Sequence, residues 1–174
     1  CRFMEQYQMP TEIRATSIAG VWELIGQPFC DSRGGFLNGF RAQDPAFAQS
    51  WGKRAIAQVN LSRTDEVGSV RGLHLQAKPH SDAKIVRCLR GMVWDLAVDL
   101  RPHSPTLGQW HAVELSPEFS NALLIPEGCA HGFQVLAPAS ELLYLHSSAW
   151  VQEAETGVYC CDHDLAITWP LPPC

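Results

Sequence analysis

The stretch RGLHLQAKPHSDAK, Arg71 to Lys84, sets a histidine two residues after a glycine in a strand-like run, with Lys84 ten positions beyond it. Imidazole titrates near neutral pH, which makes His74 a candidate Brønsted base. Two other segments carry matching chemistry: PEGCAHGF, 126–133, contains His131, and the apolar run ELLYLH contains Tyr144. Imidazole, ammonium and phenol together suit carbon-acid chemistry. Removing a proton alpha to a carbonyl builds an enolate. That requires a base at the C–H, a cation or hydrogen-bond donor at the oxygen and, for inversion, a proton donor on the opposite face. Taken singly, a histidine on a strand is more often a hydrogen-bonded structural or surface residue, and it is the company that favours chemistry.

A metal site competes for the same residues. PEGCAH fits the later half of a common β-barrel ligand pattern, but the HxH…E half fails, because Gln76 stands where the second histidine belongs and no glutamate follows at a suitable distance. Two histidines without a carboxylate make a weak set for a first-row metal, so none is expected.

The elements that must position these residues read as strands. Past residue 52, short β-branched and aromatic runs alternate with Gly, Pro, Ser and Asp punctuation, the pattern of an all-β sandwich or barrel. Eight strands are expected: KRAIAQVNLS, SVRGLHLQ, KIVRCLRG, MVWDLAVDLR, GQWHAVELS, NALLIPEG, HGFQVLA and ELLYLHSSAW. Alternation puts Gly72, His74 and Gln76 on one face of their strand, with Leu73 and Leu75 on the other. VWDLAVD is apolar on both parities and is expected to be buried on both faces, as in a jelly roll. One short helix is expected at DPAFAQSW, where Asp44 caps and Pro45 opens the first turn. The proline-rich tail WPLPPC cannot extend a sheet, which places the end of the ordered domain near Trp169.

With 174 residues, 46% of them hydrophobic, the chain suits one domain spanning 1–174. A net charge of −5 disfavours nucleic acid as partner, so an anionic ligand needs a local cluster of Arg, Lys and His. No apolar run is long enough to cross a bilayer, and CRFMEQYQMP lacks the plan of a secretion signal, which predicts a soluble cytoplasmic protein. The seven cysteines follow no CxxC spacing and read as reduced thiols; Cys160 and Cys161, if in a strand, would face opposite sides. The chain opens on Cys1, and Met4 is a candidate true start.

From Arg71 to Trp169 the chain resembles the dTDP-4-dehydrorhamnose 3,5-epimerase family of deoxysugar cupins. The resemblance rests on RGLH, the lysine of AKIVRCLRG, VWDLAVDLR, SPTLGQW, VELS, IPEGCAHGF, LLYL and DLAITWPL, in order and with spacing intact; upstream, DSRGGF resembles the family's DERGxF element. It implies a cupin-type double-stranded β-helix, or jelly roll, with one or two short helices. It also implies a homodimer that uses neither metal nor cofactor and acts on a nucleotide-diphospho-4-keto-6-deoxyhexose. By position, His74 matches the general base, Lys84 the lysine at the keto oxygen and Tyr144 the acid on the opposite ring face. Arg71 and His131 match diphosphate- or sugar-contacting positions, and Arg33 an arginine reaching the nucleotide from the same or the partner subunit. Gln58 and Asn60 resemble the polar pair before the RGLH strand, Trp150 stands where a tyrosine stacks on the base, and Phe36 is available for stacking.

Three departures stand out. The family continues past WPL to an LSxKD segment whose aspartate pairs with the catalytic histidine, whereas this sequence ends at Cys174. Either another acid, such as Asp95 or Asp99, substitutes, or activity is reduced, restricted to one carbon or lost, the last leaving a nucleotide-sugar-binding homologue. Trp150 in SSAW replaces the tyrosine pair, which keeps a flat apolar face but leaves the base open. DSRGGFLNGF carries Asn38 in place of a glutamate and an added Gly35.

Overall fold

The computed structural model describes residues 11–173; Cys1, the Met4 start and Cys174 lie outside the described residues. Thirteen short strands are β1 (Glu12–Ala15), β2 (Trp22–Ile25), β3 (Phe29–Asp31), β4 (Gly34–Phe36), β5 (Gln58–Thr64), β6 (Val70–Gln76), β7 (Lys84–Arg90), β8 (Val93–Asp99), β9 (Trp110–Leu115), β10 (Asn121–Ile125), β11 (Cys129–Val135), β12 (Ser140–His146) and β13 (Glu155–Gly157). Among the described residues, one helix, α1 (Pro45–Ser50), and a 3₁₀ turn at Gln152–Ala154 join them. The eight expected strands all form. The expected helix forms too, with Asp44 Oδ1 accepting from the Ala46 N–H at 2.9 Å.

The strands make two antiparallel sheets, ordered β1-β2-β10-β7-β12-β5 and β13-β6-β11-β8-β9, with β3 and β4 forming a separate hairpin. From β5 to β13 successive strands alternate between the layers except at the β8–β9 hairpin, and this interleaving is the jelly roll. Between the sheets lies a core of Val86, Cys88, Val93, Ala97, Leu115, Leu123, Ile125, Phe133, Val135 and Leu142. A second cluster, Leu24, Phe47, Trp51, Ile85, Ala122 and Leu124, covers the outer face of the first sheet with α1. A third joins Leu73, Leu96, Val98 and Ala130 to Trp94, Trp110, Leu165, Ile167 and Trp169 on the outer face of the second.

That third cluster explains why VWDLAVD is apolar on both parities: Val93 and Ala97 face the sandwich interior, whereas Leu96 and Val98 lie under the C-terminal segment. Trp94 meets Trp110 and Trp169 edge-on at centroid separations of 5.8 and 5.3 Å, contacts worth about 0.5–1.5 kcal/mol each beyond the area they bury.

Order continues past Trp169, contrary to the expectation drawn from its prolines. The buried Gln134 side chain acts as a neighbouring strand would, accepting from the Leu171 N–H at 3.0 Å and donating to its carbonyl at 2.9 Å. Cys160 and Cys161 occupy a turn instead of a strand, so their sulfurs lie 3.8 Å apart instead of on opposite sides.

Candidate active site

A cavity of about 460 Å³ opens between the two sheets. The second sheet contributes Arg71, His74 and Gln76 from β6 and His131 and Phe133 from β11; the first contributes Asn60 and Ser62 from β5, Lys84 from β7 and Tyr144 and His146 from β12. Asp82, Trp150 and Glu155 add to the polar wall, and Val59, Leu61 and Leu75 to the apolar one. His74, Lys84 and Tyr144 therefore share one space, with the imidazole on one sheet and the ammonium and phenol on the other.

A bulge aims the imidazole. His74 stands opposite His131, but Arg71 stands opposite Phe133, so Gly72 and Leu73 together oppose the single residue Gly132. The extra residue breaks simple alternation. Arg71 and His74, three apart, both face inward, and the expected sharing of that face by Gly72 gives way to a kink. Gly72 has φ +110°, and a Cβ there would lie 2.5 Å from the His131 carbonyl oxygen and 2.7 Å from Gly132 Cα. Only glycine fits.

The His74 ring meets His131 edge-on at 6.2 Å. Burial, then the charges of His131 and Lys84, lower its pKa from 6.5 to about 4. The ring is thus neutral at physiological pH, with a lone pair available. Its expected carboxylate partners lie elsewhere. Asp95, fully buried, accepts from or pairs with His131 Nε2 at 2.8 Å. Asp99 accepts from Arg101, Ser104 and Thr106. Neither substitutes for the family's C-terminal aspartate, because β8 runs beside β11, which stands between it and β6. Among the described residues no carboxylate hydrogen-bonds the His74 ring. Desolvation pushes the Asp95 carboxyl up against the pull of His131.

Tyr144 is sandwiched by rings, edge-on to His131 and stacked on His146, each at 5.9 Å. Burial raises its pKa well above the ordinary phenol value despite a 3.2 Å hydrogen bond to the Ser62 hydroxyl, so it is held as the protonated acid. Lys84 is 4% exposed and lies 3.6 Å from Asp82, which also takes a 2.8 Å hydrogen bond from His146. Arg71 donates to Thr64 at 2.8 Å, turning its guanidinium along the cavity wall. Trp150 is 54% exposed at the rim, its indole N–H donating to Glu155 at 2.8 Å.

Of the other candidate residues, Asn60 and His131 line the cavity and Gln58 does not; Gln58 instead accepts from the Trp150 N–H and donates to Asn60. Arg33 and Phe36 sit on the β3–β4 hairpin, around a separate hollow of about 270 Å³, where Arg33 pairs with Asp31 at 2.6 Å. Sequence reasoning missed Asp82, His146 and Ser62. His146 had a readable signal, since it lies two residues after Tyr144 on one strand and so shares its face. Asp82 had none. Among the described residues, no three His, Cys, Asp or Glu side chains are grouped to hold a metal ion.

Comparison with known proteins agrees with this geometry. The family model for dTDP-4-dehydrorhamnose 3,5-epimerase matches residues 15–174. A dTDP-4-dehydrorhamnose 3,5-epimerase from Shigella flexneri is 40% identical over 151 residues, covering 85% of this chain and 82% of that protein. A dTDP-4-dehydrorhamnose 3-epimerase from Streptomyces niveus is 39% identical over 159 residues, covering 91% and 75%. Among solved structures, a dTDP-6-deoxy-D-glucose-3,5-epimerase from Legionella pneumophila, in complex with dTDP-4-keto-L-rhamnose, superposes with a TM-score of 0.87 at 36% identity, covering 92% of this chain and 84% of that one. A cupin-type jelly roll, a match through nearly the whole described chain and a cavity joining imidazole, ammonium and phenol converge: the chain belongs to the dTDP-4-dehydrorhamnose 3,5-epimerase family.

Proposed function

We propose that the protein is an isomerase that epimerises a dTDP-linked 4-keto-6-deoxyhexose at C3, C5 or both. The observation that carries the reading is the single cavity in which His74 of one sheet faces Lys84 and Tyr144 of the other. The neutral His74 ring takes the proton from the carbon beside the C4 ketone, and the electron pair moves onto the keto oxygen. Lys84 stabilises that developing charge, which a buried ammonium does more strongly than one in water. Tyr144 returns a proton from the opposite wall, inverting the centre, and solvent restores both groups.

Arg71 is the group we assign to the diphosphate, His131 to the sugar, Asn60 to a polar ligand edge and Trp150 to the base, on whose exposed face a thymine can stack. Gln58 acts through Asn60 and Trp150. Arg33 and Phe36, which do not line this cavity in the same chain, fit a contribution to the nucleotide site of a second copy. Dimerisation is supported by β5, an edge strand on which Val59 is 54% and Leu61 72% exposed. No described helix is long and apolar enough to cross a membrane, and a cytoplasmic setting agrees with the free thiols of Cys30, Cys88, Cys129, Cys160 and Cys161.

Proton NMR in deuterated water tests the reading. The wild type is expected to exchange the sugar C3 or C5 protons of dTDP-4-keto-6-deoxyglucose, and His74→Ala to abolish exchange while keeping the fold. Equal exchange in that variant refutes the role of His74. A wild type that binds dTDP without exchange refutes catalysis and favours a binding homologue.

A further inference from the structure

The cavity holds a histidine–carboxylate pair that the mechanism above does not use. His146 Nδ1 lies 2.8 Å from Asp82 Oδ2, and the same oxygen lies 3.6 Å from Lys84 Nζ. His146 and Lys84 are directly opposite on β12 and β7, so their side chains leave the sheet on the same face. Asp82, two residues before Lys84, reaches back to meet both. Both Asp82 and Lys84 are nearly inaccessible to solvent, and Asp82 Oδ1 has no partner among the described residues.

The polarity of this cluster is set from outside the cavity. The Trp150 backbone N–H can only donate, and it does so to Gln58 Oε1 at 2.8 Å. That leaves the Gln58 amide nitrogen to donate to Asn60 Oδ1 at 2.9 Å. Asn60 Nδ2 must then donate to His146 Nε2 at 3.4 Å, and His146 Nδ1–H donates to the carboxylate. Asp82 is acceptor-only, because His146 and Lys84 together hold its carboxyl below the usual range against the cost of burial. Each amide has a single orientation that satisfies both neighbours. The donors run one way, from the rim at Trp150 to the Asp82 carboxylate, against which the Lys84 ammonium lies.

We propose that Asp82 and His146 are positioning residues that hold the Lys84 ammonium at the keto-oxygen position, oriented by the hydrogen-bonded chain that starts at the Trp150 backbone. A lysine side chain has four rotatable bonds, and an ammonium left free to wander would meet the developing oxyanion poorly. Asp82 fixes where the charge sits. His146 fixes Asp82 by donating to the same carboxylate oxygen that Lys84 faces. The inference rests on the proposed epimerase reading, since Lys84 has an oxyanion to meet only if that reading holds.

The test compares single-turnover proton exchange at the sugar carbons with dTDP affinity in Asp82→Asn, His146→Leu and His146→Gln. Asparagine preserves shape and removes the charge. Glutamine at 146 keeps a donor for Asp82 and an acceptor for Asn60, whereas leucine keeps neither. Asp82→Asn and His146→Leu are expected to lower kcat about tenfold to a hundredfold, the range seen when a supporting hydrogen-bond partner is lost, with KM and dTDP affinity unchanged. His146→Gln is expected to restore most of kcat. Wild-type kcat in both Asp82→Asn and His146→Leu, or equal damage from leucine and glutamine, overturns the inference while leaving the epimerase reading intact. Absence of exchange in the wild type overturns both. Should His146→Leu fail to fold, the isosteric Asp82→Asn decides alone.

Discussion

Removing the imidazole of His74 should flatten the acid side of the stability curve. The folded ring has a pKa of about 4, lowered mainly by desolvation, against 6.5 in an ordinary setting. Between these values the unfolded chain binds the proton and the folded one does not, so stability rises with pH across this window and falls as pH drops through it. The contribution is fully present above pH 6.5 and exhausted below pH 4. At pH 5 nearly every unfolded ring but only about one folded ring in ten is protonated, which costs about 2 kcal/mol relative to pH 7. That is a large share of the roughly 5–15 kcal/mol that holds a typical domain together. Urea unfolding of the wild type and His74→Asn at half-unit steps from pH 7 to 4.5 measures it. The variant, which cannot titrate, should lose less stability than the wild type by about this amount, carboxylate effects cancelling in the difference. Parallel curves would refute the claim that His74 is desolvated beside Lys84 and His131, and with it the neutral base at the cavity wall.

Two other perturbations separate the roles of the cavity walls. Tyr144→Phe keeps the ring stacked between His131 and His146 but removes the proton donor, and is expected to slow inversion by about 10²–10⁴-fold while exchange from the His74 side persists; NMR that follows both deuterium uptake and product configuration reads the split. Gly72→Ala should destabilise the fold by about 1–3 kcal/mol for the left-handed backbone alone and more for the clash with His131 and Gly132, and should reduce kcat by moving His74; thermal unfolding and turnover check it, and a wild-type melting temperature would contradict the bulge.

Local pattern determined much about this protein. Strand periodicity fixed the eight principal strands because each half-buried segment must alternate, and Asp44-Pro45 marked the helix because capping is a local hydrogen bond. Side-chain type pointed to carbon-acid chemistry, and the motifs around His74, Lys84 and Tyr144 pointed to the family. Tertiary structure decided the rest, because the deciding contacts join residues far apart in the chain. Asp95 went to His131 and not to His74, since β11 lies between β8 and β6. The tail stayed ordered past Trp169 because Gln134, 37 positions before Leu171, supplies both of its hydrogen bonds. Gln58 left the cavity wall and Asp82 and His146 entered it, partners 64 residues apart that meet only because β7 and β12 pair. Composition and period act over a few residues, whereas a buried carboxylate takes whichever donor the packed sheets bring within reach.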